Sequence, residues 1–137
     1  MRARQLSLLP PGKREHGGNH SKGIRKTRRP IDLKSPVHLV IRSSRAKGAW
    51  SMLHPRHVEH IDRAAQKIAR RHGVQLWRYS NVGNHLHLLV KTRTRTGFQN
   101  FLRELTGTVA SIVTGAKKGN PVGKFWDSLA YTRIVTW

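Results

Sequence analysis

The sequence predicts an α+β domain whose elements follow the order β-α-β-β-α-β. Two stretches carry apolar residues at helical spacing, and four short segments are rich in β-branched residues or alternate between apolar and polar positions. The length of 137 residues suits one domain with a single core. This order of elements is typical of a ferredoxin-like fold, in which an antiparallel sheet carries both helices on one face.

The first strand and the first helix are predicted in the segment that follows residue 35. Residues 36–43, PVHLVIRS, are short and rich in β-branched side chains, which favours a strand. A helix is expected to open at His54 and Pro55, because proline costs least in a first turn. Gly73 is expected to end this helix, whose apolar stripe contains Val58, Ile61, Ala65 and Ile68.

The second half of the domain is predicted to contain two strands, a helix and a last strand. Residues 74–81, VQLWRYSN, and residues 85–91, HLHLLVK, predict strands that are joined by a tight turn. Residues 96–115 place seven apolar side chains on one face of a helix. Residues 125–137 are predicted to form the last strand, in which Leu129, Tyr131, Arg133 and Val135 stand at alternate positions.

The positive charge of the chain indicates a polyanionic partner. Lys and Arg number 27 against 6 Asp and Glu, which gives a net charge of +21. Residues 1–34 lack periodic apolar positions and are predicted to be a flexible basic arm with a net charge of +8. Residues 35–137 form the predicted domain and carry the other +13. Nucleic acid is therefore the expected partner, bound largely through its phosphates.

Composition also excludes several classes of protein. The chain has no cysteine, which rules out disulfides and thiolate metal sites. No apolar run approaches the ~18 residues of a membrane span, and the N-terminus does not resemble a secretory signal. We therefore expect a cytoplasmic, nucleoid-associated protein of bacterial type with no membrane partner. Six scattered acidic residues argue against a nuclease that is built on carboxylates.

Two histidines form the main candidate site. His85 and His87 lie two residues apart on a predicted strand, so both imidazoles leave the same face with Cα atoms about 6.6 Å apart. Leu86, Leu88 and Val90 are expected to point to the opposite face, into the core. Imidazole is the commonest protein metal ligand, so the pair could hold a metal ion. The alternative is a pair of surface histidines that belong to a basic face.

The residues around this pair extend the pattern. The segment 84–90, NHLHLLV, follows a hairpin turn, and it resembles the His-hydrophobe-His motif of single-tyrosine HUH transposases, most of all their REP-associated relatives. The basic strand at residues 37–42, the R-x-H-G end of the first helix and the Phe-Trp-Asp run at 125–127 are also similar. The resemblance covers residues 35–137. The turn differs slightly, since Val82 and Gly83 stand where the family usually has Met-Pro.

This resemblance implies an activity and a set of partners. Such enzymes use the two histidines, here His85 and His87, and a third polar ligand to hold Mg²⁺ or Mn²⁺ against a phosphate of single-stranded DNA. A tyrosine then attacks, which forms a 5′-phosphotyrosine and frees a 3′-OH. Asn84 would orient the turn at the site. Hairpins of single-stranded DNA would be the partner, and a homodimer is expected.

The nucleophile does not follow from the resemblance. In the family the tyrosine lies on a helix after the last strand, and this sequence stops before such a helix, so a copy that lacks the catalytic helix is expected. Tyr79 and Tyr131 are the only tyrosines, and both lie on predicted strands. Neither matches the motif position, so no nucleophile is assigned. Tyr131 is the one weak candidate, against the alternative of a packed edge aromatic.

Other basic residues supply candidate DNA contacts. The side chains that we expect to bind phosphates are Arg42, Arg45, Lys47, Arg93, Arg95 and Arg133, and the alternative for each is a generic surface charge. His54, His57 and His60 are expected to form a solvated helix face. Two other functions stay open. One is a remnant or regulator that binds DNA hairpins without cleaving them, and the other is a basic RNA-binding structural protein.

Overall fold

The computed structural model describes residues 14–18, 28–116 and 123–136. The five strands are β1 (Glu15–His16), β2 (Val37–Arg42), β3 (Val74–Asn81), β4 (His85–Thr92) and β5 (Tyr131–Ile134). The two α-helices are α1 (Val58–Arg71) and α2 (Arg95–Thr114), and a short 3-10 helix spans Gly48–Trp50. Neither α-helix in this part of the chain is long and apolar enough to cross a membrane.

The strands form one antiparallel sheet in the spatial order β1-β5-β2-β4-β3. The central strand β2 pairs with β4 on one side and with β5 on the other. This architecture confirms the predicted α+β fold with the order β-α-β-β-α-β. It also adds one short strand in front, which pairs with β5 at the edge of the sheet.

Both helices pack on one face of the sheet and enclose the core. Residues Leu86, Leu88 and Val90 of β4 are at most 1% exposed, while His85 and His87 between them are only half-buried. The alternation confirms the predicted orientation of the strand, with leucine and valine in the core and histidine on the other face. Phenylalanines and aliphatic side chains of α2 complete the core: Phe98, Phe101, Leu105, Val109 and Val113.

The helix boundaries follow from local chemistry. Helix α1 begins at Val58, later than the predicted His54–Pro55, because residues 52–57 form turns instead. Helix α2 begins after Thr94, whose side-chain oxygen accepts a hydrogen bond from the Gly97 backbone amide at 2.9 Å. It ends at Gly115, which has the left-handed conformation of a helix C-cap, with φ of 72°.

The last strand is shorter than the predicted range of 125–137. Residues 123–130 form bends and irregular backbone, and β5 spans only four residues. The reason is that Phe125, Trp126 and Asp127 are held by contacts with other parts of the chain instead of by pairing with a neighbouring strand. Phe125 is buried in the core, the Trp126 indole donates to the Thr106 carbonyl at 3.0 Å, and the Asp127 amide donates to the Arg42 carbonyl at 3.0 Å.

Two parts of the predicted basic arm contact the sheet. Glu15–His16 pairs with β5, and the Arg29 guanidinium donates to the Ala130 carbonyl at 2.7 Å and to the Thr132 hydroxyl at 2.8 Å. Burial lowers the pKa of this guanidinium. The rest of the arm, residues 1–13 and 19–27, lies outside the described residues, as do residues 117–122 of the predicted loop and residue 137.

Candidate functional site

The face of the sheet that the helices leave uncovered carries the candidate site. A β-bulge at Trp77 shifts the alternation of β3, so that Arg78 and Ser80 point to this face. The pairing registers bring together side chains from four strands on this face. They are Tyr131 and Arg133 of β5, His38, Val40 and Arg42 of β2, His85, His87, Leu89 and Lys91 of β4, and Arg78 and Ser80 of β3. Basic and imidazole groups make up most of this set.

The two predicted metal ligands lie side by side here. The rings of His85 and His87 have centroids 4.6 Å apart and planes at 78°. The side-chain oxygen of Asn84 lies 2.6 Å from Nδ1 of His85, so the turn residue orients the first ring. A carbonyl oxygen accepts, so Nδ1 of His85 donates and its Nε2 is left with a free lone pair. The pair is therefore arranged with at least one nitrogen available to a cation.

A third histidine completes the cluster, and it was not among the predicted site residues. Nε2 of His38 lies 3.3 Å from Nδ1 of His87, and the two ring planes differ by 8°. The strand sequence VHLVIR contained the signal, because His38, Val40 and Arg42 alternate with the buried Val37, Leu39 and Ile41. Only the pairing of β2 with β4, which the sequence does not specify, places His38 beside His87.

Two arginines stand next to this cluster as cross-strand partners. Arg42 pairs with His85, and Arg133 pairs with His38. Burial, then the charge of His87, then that of Arg42 lower the pKa of His85. Burial lowers the pKa of His38 in the same way, with smaller effects from His87 and Arg133. These shifts favour neutral imidazoles, the form that binds metal ions.

A cavity of about 620 Å³ opens on the same face. Its polar lining includes the imidazoles of His38 and His87 and three guanidinium groups, from Arg14, Arg78 and Arg133. Three cationic groups around one opening attract an anion such as a phosphate. The cavity therefore lies beside His87, and His85 is not part of its lining.

The donor set suits a divalent ion only in part. Among the described residues no group of three or more His, Cys, Asp or Glu side chains is arranged to hold a metal. The nearby carboxylate of Asp127 accepts hydrogen bonds from the backbone amide and hydroxyl of Ser44, at 2.8 and 2.9 Å. Two imidazoles can supply two ligands, and nitrogen donors suit Mn²⁺ better than the oxygen-seeking Mg²⁺. The other positions would fall to water and phosphate oxygens.

The two tyrosines lie in different places. Tyr131 lies on the uncovered face, where it pairs with Val40, which in turn pairs with His87 on its other side. Because Tyr131 and His87 are therefore two strands apart, their Cα atoms are about 10 Å apart. Burial and a hydrogen bond with Glu15 raise the pKa of Tyr131. A tyrosine hydroxyl is protonated at neutral pH even at its ordinary pKa of about 10, so this shift does not change its state there. Tyr79 pairs with the buried Leu88 and packs against the core, on the helix-covered side.

The remaining predicted DNA contacts are spread over the surface. Arg45 lies over the Trp50 ring, 4.9 Å from its centroid, and Lys47 precedes the 3-10 helix in the same loop. Arg93 and Arg95 lie at the opposite end of β4, about 26 Å along the strand from His85. Arg95 also donates to the Arg29 carbonyl at 2.6 Å. Only Arg42 and Arg133 are brought next to the histidines.

The predicted solvated histidine face near α1 is wrong for one of its three members. His57 is only 5% exposed, and its Nε2 lies 3.0 Å from the Ala49 carbonyl. It is buried because residues 52–57 form turns that fold back on the 3-10 helix, whereas a helix from His54 would have left it outside. His60, on α1 itself, is exposed as expected.

The comparisons with known proteins give one family match and several structural matches. The family model "Transposase IS200 like" matches residues 34–133, most of the chain. No curated protein matches the chain. Among solved structures, a crystal structure of a "putative transposase" from Deinococcus radiodurans R1 superposes with a TM-score of 0.54 and 18% sequence identity, over 82% of this chain and 87% of that one. That structure supports the fold, and the family match supports more: this chain belongs to the IS200-like transposases.

Proposed function

We propose that this transposase domain acts on single-stranded DNA, with His85 and His87 holding a divalent ion against a scissile phosphate. The observation that supports the proposal best is the position of the two imidazoles, 4.6 Å apart on the uncovered face of the sheet. The helices leave that face uncovered, and His85 and His87 are only half-buried on it, so an extended DNA strand could reach them. Membership of the family implies DNA as the partner.

The charges around the pair support a phosphate ligand. Arg42 and Arg133 flank the histidine cluster as cross-strand partners, and the cavity beside it adds Arg14 and Arg78. In our proposal Arg42 binds the phosphate next to the scissile one, and Arg133 binds a phosphate on the other side. Guanidinium groups suit this task because they donate two parallel hydrogen bonds to phosphate oxygens. Arg45 and Lys47 would extend the contact beyond the sheet.

The chemistry divides between the ion and the chain. A bound Mn²⁺ or Mg²⁺ would neutralise the negative charge that develops on the phosphate oxygens during displacement. His85 and His87 would supply neutral nitrogen ligands, and Asn84 would hold the first ring in place. The attacking hydroxyl would lose its proton and bond to phosphorus, while the bond from phosphorus to the 3′ oxygen breaks and that oxygen takes up a proton to leave as a 3′-OH. We assign no nucleophile, because the Tyr131 hydroxyl is hydrogen-bonded to Glu15 and its Cα atom lies about 10 Å from that of His87.

Mn²⁺ titration of the purified protein would test the site directly. We expect the wild-type protein to bind Mn²⁺ in isothermal titration calorimetry, and His85→Ala and His87→Ala each to weaken binding at least about tenfold, as the loss of a ligand should. His60→Ala is the matched control, because this exposed histidine lies on α1. Equal Mn²⁺ affinity in the wild type and both site variants would contradict the proposal.

A cleavage assay would test the reaction. A single-stranded DNA hairpin is incubated with Mn²⁺ or with a chelator, and the products are separated under denaturing conditions. We expect cleavage that requires Mn²⁺ and is lost in His87→Ala. A covalent protein–DNA adduct that disappears in Tyr131→Phe would identify Tyr131 as the nucleophile and would overturn our decision to leave it unassigned.

A second candidate function is the binding of DNA hairpins without cleavage. The position of Tyr131 favours it, since its hydroxyl is hydrogen-bonded to Glu15 and its Cα atom lies about 10 Å from that of His87. In this case the cleavage assay would show no product and no adduct, while fluorescence anisotropy with the same hairpin would show binding with steep salt dependence. The homodimer that the resemblance implies stays a prediction, and sedimentation velocity of the protein with and without DNA would measure it.

A further inference from the structure

We infer that His38 is a positioning residue, which holds the His87 ring in the tautomer that leaves Nε2 free to bind the metal ion. The inference rests on the proposed metal site of His85 and His87. Its basis is the contact between Nε2 of His38 and Nδ1 of His87, at 3.3 Å with ring planes 8° apart. Ring N–H bonds and nitrogen lone pairs lie in the ring plane, so nearly parallel rings can share one hydrogen bond.

The hydrogen bond of His85 shows which tautomer His87 requires in order to bind the same ion. The Asn84 side-chain oxygen lies 2.6 Å from Nδ1 of His85 and can only accept a hydrogen bond. Nδ1 of His85 therefore carries the proton, and Nε2 has the free lone pair. A neutral imidazole that donates from one nitrogen offers the other nitrogen to a metal ion.

His87 reaches the same state only if His38 accepts. When Nδ1 of His87 donates to Nε2 of His38, Nε2 of His87 is left without a proton and can bind the ion. In the opposite arrangement Nε2 of His38 donates, and the neutral His87 carries its proton on Nε2, where it blocks coordination. His38 thus accepts the hydrogen bond from Nδ1 of His87, as Asn84 accepts the one from Nδ1 of His85. The Nε2 atoms of His85 and His87 then both become available to one cation.

The sheet fixes this arrangement. His38 pairs with Leu89, two residue pairs from the Val40–His87 pair and on the same face, so it reaches His87 diagonally across the ladder. On its other side His38 pairs with Arg133, whose guanidinium has donors only and cannot accept a proton from the ring. Because its Nε2 is taken up by His87, His38 is not itself a third metal ligand.

Two variants separate positioning from packing. His38→Ala removes the acceptor, and His38→Gln keeps one, since its side-chain oxygen can stand close to the position of Nε2. Two-dimensional ¹H–¹⁵N spectra of the histidine rings report the protonated nitrogen of His87 without any metal. Calorimetry with Mn²⁺ alone reports affinity, and His60→Ala is the control for the loss of an exposed histidine.

We expect the wild-type His87 to be protonated at Nδ1, and His38→Ala to shift it toward the Nε2-protonated form and to weaken Mn²⁺ binding about tenfold or more. His38→Gln should restore most of both. If His38→Ala does not fold, the wild-type and His38→Gln spectra still decide the tautomer. A wild-type His87 protonated at Nε2, or an unchanged tautomer and Mn²⁺ affinity in His38→Ala, would overturn the inference.

The two proposals fail in different ways. If His85→Ala leaves Mn²⁺ binding unchanged, the proposed metal site is wrong, whatever His38 does to the ring of His87. If His85→Ala abolishes binding while His38→Ala does not weaken it, the metal site stands and the role of His38 is wrong.

Discussion

Tyr79 lies on the side of β3 that packs against α1, with its hydroxyl near Asp62. We therefore expect the protein to lose stability at alkaline pH. Burial is the main cause that raises the pKa of Tyr79, and the neighbouring Asp62 carboxylate adds to it. An ionised Tyr79 would place a second negative charge beside Asp62. The folded protein therefore keeps the proton above pH 10, where an unfolded tyrosine, with its ordinary pKa of about 10, loses it.

The sign of the effect follows from proton binding. Above pH 10 the unfolded state binds fewer protons than the native state, so the stability that Tyr79 contributes is present below that pH and lost as pH rises. We expect the wild type to lose about 1 kcal/mol more than Tyr79→Phe between pH 9 and pH 11, a figure reduced for partial exposure. Urea unfolding at both pH values measures it. Parallel curves for the two proteins would contradict the prediction.

The histidines show how far single residues could be predicted from the sequence. The period of two in NHLHLLV was enough to put His85 and His87 on one face and the leucines on the other, because the core accepts only the apolar set. His38 was not predicted, because its contact with His87 depends on which strands are neighbours and in which register. Strand pairing between distant segments leaves no local pattern in a single sequence.

At the scale of elements, the start of α2 is fixed by a close approach to the end of α1. A Cβ atom on Gly97 would lie 2.5 Å from the His72 carbonyl oxygen and 2.8 Å from the Thr94 hydroxyl. The carbonyl is backbone and cannot turn away as a side chain would. A Cβ atom on Gly107, in the middle of the same helix, would meet nothing within 4 Å.

These two glycines predict opposite effects of the same substitution. Gly97→Ala should destabilise the protein by about 1–3 kcal/mol, because the ends of both helices must shift. Gly107→Ala should stabilise it by roughly 0.5–1 kcal/mol, because alanine favours an exposed helix interior. Denaturant unfolding of both variants beside the wild type measures the pair. Stabilisation by Gly97→Ala would show that the two helix ends are not in contact in solution.

The elements also show where sequence patterns stop being informative. The long strands and both helices were predicted within a few residues, since each has enough turns or alternations to display its period. Strand β1 has two residues, too few to show any period. The segment at 125–130, FWDSLA, was predicted as part of the last strand, yet its backbone is irregular and Phe125 reaches the core from it, so the burial of Phe125 does not reflect a strand period.

At the scale of the whole molecule, the described residues form a helical layer and a sheet face that the helices leave uncovered, and basic residues occur on both. Positive charge alone therefore does not locate the DNA, since a net charge of +21 attracts a polyanion to the entire surface. The position of the histidine cluster distinguishes the two sides. If DNA lies on the sheet, Arg133 contacts a phosphate, and the exposed Arg63 on α1, paired with Glu59 at 3.5 Å, does not.

Salt dependence of binding separates these two arginines. Each phosphate contact to single-stranded DNA contributes about −0.7 to the slope of log K against log salt concentration, because binding releases condensed counterions. We expect Arg133→Gln to weaken binding of a single-stranded hairpin and to reduce the magnitude of the slope by about 0.7. Arg63→Gln removes the same charge from the helical layer and should leave the slope nearly unchanged. Fluorescence anisotropy at several salt concentrations measures both variants, and equal changes in the two slopes would mean that the DNA does not distinguish the sheet face from the helices.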